Sequence, residues 1–209
     1  MKKIIKYTGS VLLVAVVAYN SVYFKKLDEV KAGATSFDAA KYAEKFWTEK
    51  LTPHVAKAIE IGQLLTLLQT DKNKAFADHA HALGIGNVKY FLVKGSGIVK
   101  SVEENQVMVK IESEREKPEV AIATEYVFGN AVRDASGEID INAFTNSMDF
   151  NNVSGELNKI IREKVIPPFR SKVKTGDKVT FSGAIELNKE HLSTRSIEII
   201  PIDLKIVNE

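Results

Sequence analysis

The chain has 209 residues, 44% of them hydrophobic and 27% charged, which supports a packed core and argues against disorder. It contains no cysteine, so disulfides, thiolate metal sites, cysteine nucleophiles and lipid attached to cysteine are excluded. The net charge of +2 is uneven: Lys2, Lys3, Lys6, Lys25 and Lys26 stand in residues 1–26 with no acid among them, leaving the rest net acidic, a poor grip for nucleic acid.

Tyr7 to Phe24 is a run of eighteen uncharged residues. As a helix it covers about 27 Å, close to the thickness of a hydrocarbon core. The lysines ahead of it predict an amino terminus held in the cytoplasm and an exported remainder. Val16 to Ala18 would serve as a cleavage site, but the uncharged run continues past Ala18, which favours a retained signal anchor over residues 1–26. Residues 27–35 read as a tether.

Three helices are expected in residues 36–84. Ser36 caps one from Phe37 to about Lys50, with Tyr42, Ala43, Phe46 and Trp47 on one face. Thr52 and Pro53 open a second, running to about Gln69 and rich in leucine. Asp71 caps a third that Gly84 ends.

From Val88 the apolar period becomes two, and residues 85–209 read as a barrel domain. Strands are expected over Val88 to Val102, Val107 to Ile111, Val120 to Phe128, Lys178 to Leu187 and Ile197 to Val207. A helix capped by Ser154 and ended by Pro167 and Pro168 separates the third strand from the fourth. Three strands, a helix and two strands is the order of a five-stranded OB-like Greek-key barrel, so the predicted fold is α+β: a membrane helix, a small helical segment, then that barrel. Gly95 and Gly97 suit the bend that its first strand must make. Pro201 fits only at an edge or bulge.

Candidate chemistry is sparse. His79 and His81 lie on a predicted helix, where this spacing makes the rings diverge, and no metal site is expected. Asp134 to Phe144 imitates part of a calcium loop, but Val132 and Ala143 occupy the positions that need carboxylates. No phosphate loop, nucleophile elbow or cofactor motif occurs, and no catalytic residue is assigned. Asn130, Arg133 and Asp134 leave the third strand as groups able to orient a small polar ligand, with His191 and Arg195 in the last loop as further ligand-binding candidates. The loop from Glu103 to Gln106 is acidic and speaks against nucleic acid.

The sequence resembles a family of predicted bacterial periplasmic lipoproteins, described only as a domain of unknown function numbered 2291. The resemblance rests on Phe46 and Trp47, on Tyr90 to Gly97, on Gly129 to Ala135, on Phe144 to Asn146 with Asp149 and Phe150, and on Phe181 to Ala184. It implies an envelope protein, in some cases encoded beside sugar ABC-transport components, with no catalytic residues to carry over. Without a cysteine this chain departs from the lipoprotein pattern, and the hydrophobic anchor would replace the lipid. The expectation is therefore a non-enzymatic periplasmic binding or accessory protein on the cytoplasmic membrane. Its expected partner is a small solute or an ABC-transport component, with no cofactor, metal or nucleic acid. An envelope glycan-acting enzyme with a carboxylate pair and a structural assembly protein are the alternatives.

Overall fold

The computed structural model describes residues 37–112 and 118–207, together with Tyr7, Val14, Val16, Val17 and Tyr19. The expected anchor, the tether and the Ser36 cap lie outside this set, apart from those five positions. Among the described residues no helix is long and apolar enough to cross a membrane.

Asp38 caps α1, Ala39–Phe46, by accepting a hydrogen bond from the Lys41 amide at 2.9 Å. The chain continues through a wide π turn, Trp47–Leu51, into helical residues Thr52–His54 and the 3-10 turn Val55–Lys57. A helix from Thr52 to Gln69 was expected. The backbone instead turns extended at Ala58, where ψ is 141°, and Ile59 and Glu60 pair in parallel with Val93 and Lys94. Only then does α2, Ile61–Thr70, begin. Asp71 caps α3, Lys72–His79, as its spacing predicts. The helix stops five residues short of Gly84, because Ala80 and His81 leave it to pair with Phe91 and Tyr90.

The five principal strands are β1 (Val88–Val102), β2 (Gln106–Ile111), β3 (Glu119–Ala123), β4 (Lys178–Asn188) and β5 (Ile197–Ile206). They close in the order β1-β2-β3-β5-β4 and back to β1, with β3 and β5 parallel and every other pair antiparallel. Closure removes the sheet edges that would otherwise be open to association.

β1 pairs with β4 along Val88 to Ile98 and with β2 from Gly97 onward, so Gly97 sits where both partners meet. A Cβ there would stand 2.6 Å from Val109 Cγ1 and strike the Lys110 carbonyl, which explains the glycine. The β1–β2 register also shifts between Val99 and Ser101. Pro201 falls beside the second irregularity, where Ser182 faces Asp203 but Gly183 faces Pro201.

Two expectations at β3 and the long helix need correction. β3 ends at Ala123 rather than Phe128, because Thr124 bonds back to Asn105 and the chain leaves the barrel wall. The helix α5, Ser147–Ile160, starts at an Asn146 cap rather than at Ser154. It also passes Pro167 and Pro168: the π turn Ile161–Val165 resets the hydrogen-bond ladder, so the prolines open the short helix Ile166–Arg170, where their missing N–H groups have no partner to lose.

Inward side chains of the strands, such as Phe91, Val93, Val107, Ile122, Phe181 and Ile199, form one core with Ile61, Leu64 and Leu68 of α2 and Phe76 of α3. A second layer joins α1 to α5 through rings: Phe144 meets Tyr42 and Phe150 edge-on at 5.1 Å. Residues Asp38–Glu209 form one compact unit, helices included.

Candidate functional site

Strand alternation sends Val179, Phe181 and Ile185 of β4 into the core and turns Thr180 and Ser182 to the outer face. The ladders align four outward residues in one row across the sheet. Asp203 faces Ser182, Ser182 faces Lys94, and Lys94 faces Glu60. Val55, from the turn after α1, lines with this row a hollow of about 360 Å³ that also takes in Thr180 and Ser96. Past Glu60, Gly95 and Ser96 the hollow meets a wider groove of about 930 Å³ along Gly62, Gln63 and Thr66 of α2.

Two of the charges in this row have partners in the protein, whereas the Glu60 carboxylate has none among the described residues. Lys94 Nζ donates to the Ala56 carbonyl at 2.9 Å. Lys205 Nζ binds Asp203 Oδ2 at 2.7 Å. At the groove's far end Lys178 lies 3.0 Å from Glu112 and Ser96 donates to the same carboxylate; the lysine's hydrogen bond, above all, holds that acid below its usual range. Ser182 is the buried polar group of the row without a partner. It is 4% exposed, and its Oγ has no hydrogen-bond partner among the described residues. A buried hydroxyl without a partner costs stability, and the residue that carries it lines the hollow. The hydroxyl also lacks a base, since no neighbouring acceptor takes its proton. The arrangement can hold a polar molecule, and it lacks the relay that would make Ser182 a nucleophile.

The residues read as ligand-binding from sequence divide into two groups. Arg133 and Asp134, on the short helix α4 between β3 and α5 (Ala131–Ala135), are each 4% exposed. They form a fork: Nε to Oδ1 at 2.6 Å and Nη2 to Oδ2 at 3.0 Å. The guanidinium carbon lies 3.6 Å from the centre of the Phe150 ring, and Nη1 points at the Phe150 carbonyl and Asn151 Oδ1, each at 3.4 Å. Asn130 accepts from Ser154 at 3.1 Å, and Asn158 donates to Gly129 at 2.9 Å. These bonds brace the α4 segment against α5. His191 and Arg195 stand exposed in the β4–β5 loop, which is tied instead to Asn87 and Lys72 through the backbone of Lys189. Among the described residues no hydrogen bond or ion pair joins the two groups.

The histidine pair also differs from expectation. His79 ends α3 while His81 lies in extended backbone, its ring against Gly137. His54 Nδ1 is 3.1 Å from Glu138 Oε1, and burial, then the charge of His54, pushes the His81 imidazole below its usual value. Among the described residues no cluster of three or more His, Asp or Glu can hold a metal ion.

Sequence reasoning passed over Ser182. The available signal was the run Ser182, Gly183, Ala184 in a strand of otherwise large residues. Val55, which lines the hollow with Ser182, comes from a part of the chain that strand patterning does not reach.

Residues 12–205 match the family described as predicted periplasmic lipoprotein, DUF2291. An OB-fold protein from Thermotoga maritima MSB8, known from its crystal structure, is 27% identical over 83% of this chain and 100% of its own, with a TM-score of 0.74. No curated protein matches the chain.

Proposed function

The chain belongs to the family of predicted periplasmic lipoproteins, and from that premise we propose that it is a non-catalytic binding protein of the periplasm, tethered to the cytoplasmic membrane and accessory to sugar uptake. The observation that carries the binding role is Ser182, a buried hydroxyl without a partner in a hollow whose Lys94 and Asp203 are already bonded within the protein. A hollow of about 360 Å³ suits a molecule of monosaccharide size. The tether rests on the sequence: with no cysteine to carry a lipid, the uncharged run from Tyr7 to Phe24 takes the lipid's place. The acidic loop Glu103 to Asn105 and the missing basic stripe speak for a solute or a protein partner over nucleic acid.

Crosslinking in intact cells, followed by recovery of the chain from membranes, tests the accessory role. The expected product joins it to an ABC-transport component. Recovery without any transport component contradicts that role. Quantitative release of the chain by alkaline carbonate contradicts the tether.

A further inference from the structure

Tyr126 and Phe128 carry their rings into solvent on the segment after β3, 59% and 67% exposed, while Val127 between them is fully buried. Extended alternation therefore puts both rings on one side of the segment. Their planes are inclined by only 27°, with centroids 6.4 Å apart. The backbone beneath them is pinned at both ends. Thr124 donates to the Asn105 carbonyl at 2.9 Å, and Asn158 of α5 donates to the Gly129 carbonyl at 2.9 Å. Arg162, in the π turn that follows α5, donates through Nη1 to the Val127 carbonyl at 2.6 Å and sets its guanidinium 5.8 Å from the Phe128 ring centre. Its Nε and Nη2 have no partner among the described residues, and neither has the Tyr126 hydroxyl.

Folding normally buries rings of this size, and an exposed aromatic patch held rigid marks a contact site. Three features define what it contacts. The near-parallel π faces attract the C–H face of a ring through their negative quadrupole. The spare guanidinium and phenol donors need oxygen acceptors. The adjoining loop carries Glu103 and Glu104, with Glu125 beside Tyr126, which repels phosphate and carboxylate chains. A neutral, polyhydroxylated ring satisfies all three, and the pinned backbone means that little ordering cost remains to be met on binding.

We propose that Tyr126, Phe128 and Arg162 form a stacking platform for a neutral saccharide chain. The platform shares no residue with the Ser182 hollow, so either can fail without the other.

Affinity electrophoresis of the full-length chain through gels containing soluble starch, hydroxyethylcellulose or glycol chitin tests this. Retardation by at least one polysaccharide is expected. The double variant Tyr126→Ala/Phe128→Ala should bind about tenfold more weakly per ring lost and migrate freely, with an unchanged thermal melt because both rings lie in solvent. Tyr126→Trp/Phe128→Trp, which keeps the stacking faces, should remain retarded, as should Ser182→Ala. Mobility unaffected by all three polysaccharides overturns the proposal, and so does equal retardation of the double alanine variant. Ring-dependent binding to phosphatidylglycerol vesicles without polysaccharide retardation overturns it in favour of a lipid contact.

Discussion

Lys94 faces Ser182 across the β1–β4 ladder, yet its ammonium donates to Ala56 at 2.9 Å and leaves the serine hydroxyl alone. Removing that hydroxyl therefore removes an unpaid desolvation cost. Ser182→Ala should hold stability level or raise it by about 1 kcal/mol in urea unfolding. A loss of about 1 kcal/mol or more would mean that the hydroxyl is bonded in the folded protein and is not an open ligand contact.

The Arg133–Asp134 fork behaves oppositely. Both groups are buried and each is the other's main partner. Asp134→Asn or Arg133→Met strands one buried charge and should cost about 3–5 kcal/mol, whereas replacing both residues with apolar side chains of similar volume should cost less than either single change. Thermal unfolding of the three variants checks this. Single variants that keep wild-type stability would instead mark the pair as a ligand site held ready at the expense of the fold.

His81 predicts a pH dependence. Burial, then repulsion from His54, holds its folded pKa below the ordinary value of 6.5, and the nearby Glu138 carboxylate opposes that shift only in part. The unfolded chain then binds the proton more readily. This contribution to stability is present above about pH 6.5 and is lost as the pH falls through the lower folded value. Lys50, 3.8 Å from Glu138, and Lys57, which lines the same small cavity as His81, are the other charged groups near this cluster. Unfolding midpoints between pH 7.5 and 5, about the range in which imidazole titrates, should decline for the wild type and flatten in His81→Gln. Identical slopes would remove His81 as the cause.

Gly97 has no room for a side chain between β2 and β4. Gly97→Ala should therefore destabilise by about 1–3 kcal/mol or more, through displacement of the β1–β2 pairing at Lys110. Gly84→Ala, where a Cβ meets nothing within 4 Å, is the control and should be close to neutral. Hydrogen exchange at β2 amides separates a local opening from global loss.

The barrel was legible because core residues recur at every second position, as at Val107, Val109 and Ile111, and because Gly97 and Pro201 fall where pairing changes. The errors share a cause. Tyr126 and Phe128 continue the alternation of β3 after the wall has ended, because period two describes any extended segment with one face covered, paired or not. The break at Ala58 is invisible in a leucine-rich run, since it is set by Ile59 and Glu60 pairing with β1 more than thirty positions away. The candidate site was less legible still. Arg133 and Asp134 carry conspicuous charges and turn out to brace one another, while Ser182 has an unremarkable side chain. It matters only through the hollow that it lines together with Val55.

The binding role is tested most directly by nuclear magnetic resonance titration of the nitrogen-labelled full-length chain with D-glucose, D-ribose and D-xylose. The account predicts saturable amide shifts centred on Thr180, Ser182, Lys94 and Asp203 for at least one sugar, its recovery unchanged, and loss of those shifts in Ser182→Ala. Shifts absent from that row, or conversion of the sugar to a product, would contradict it.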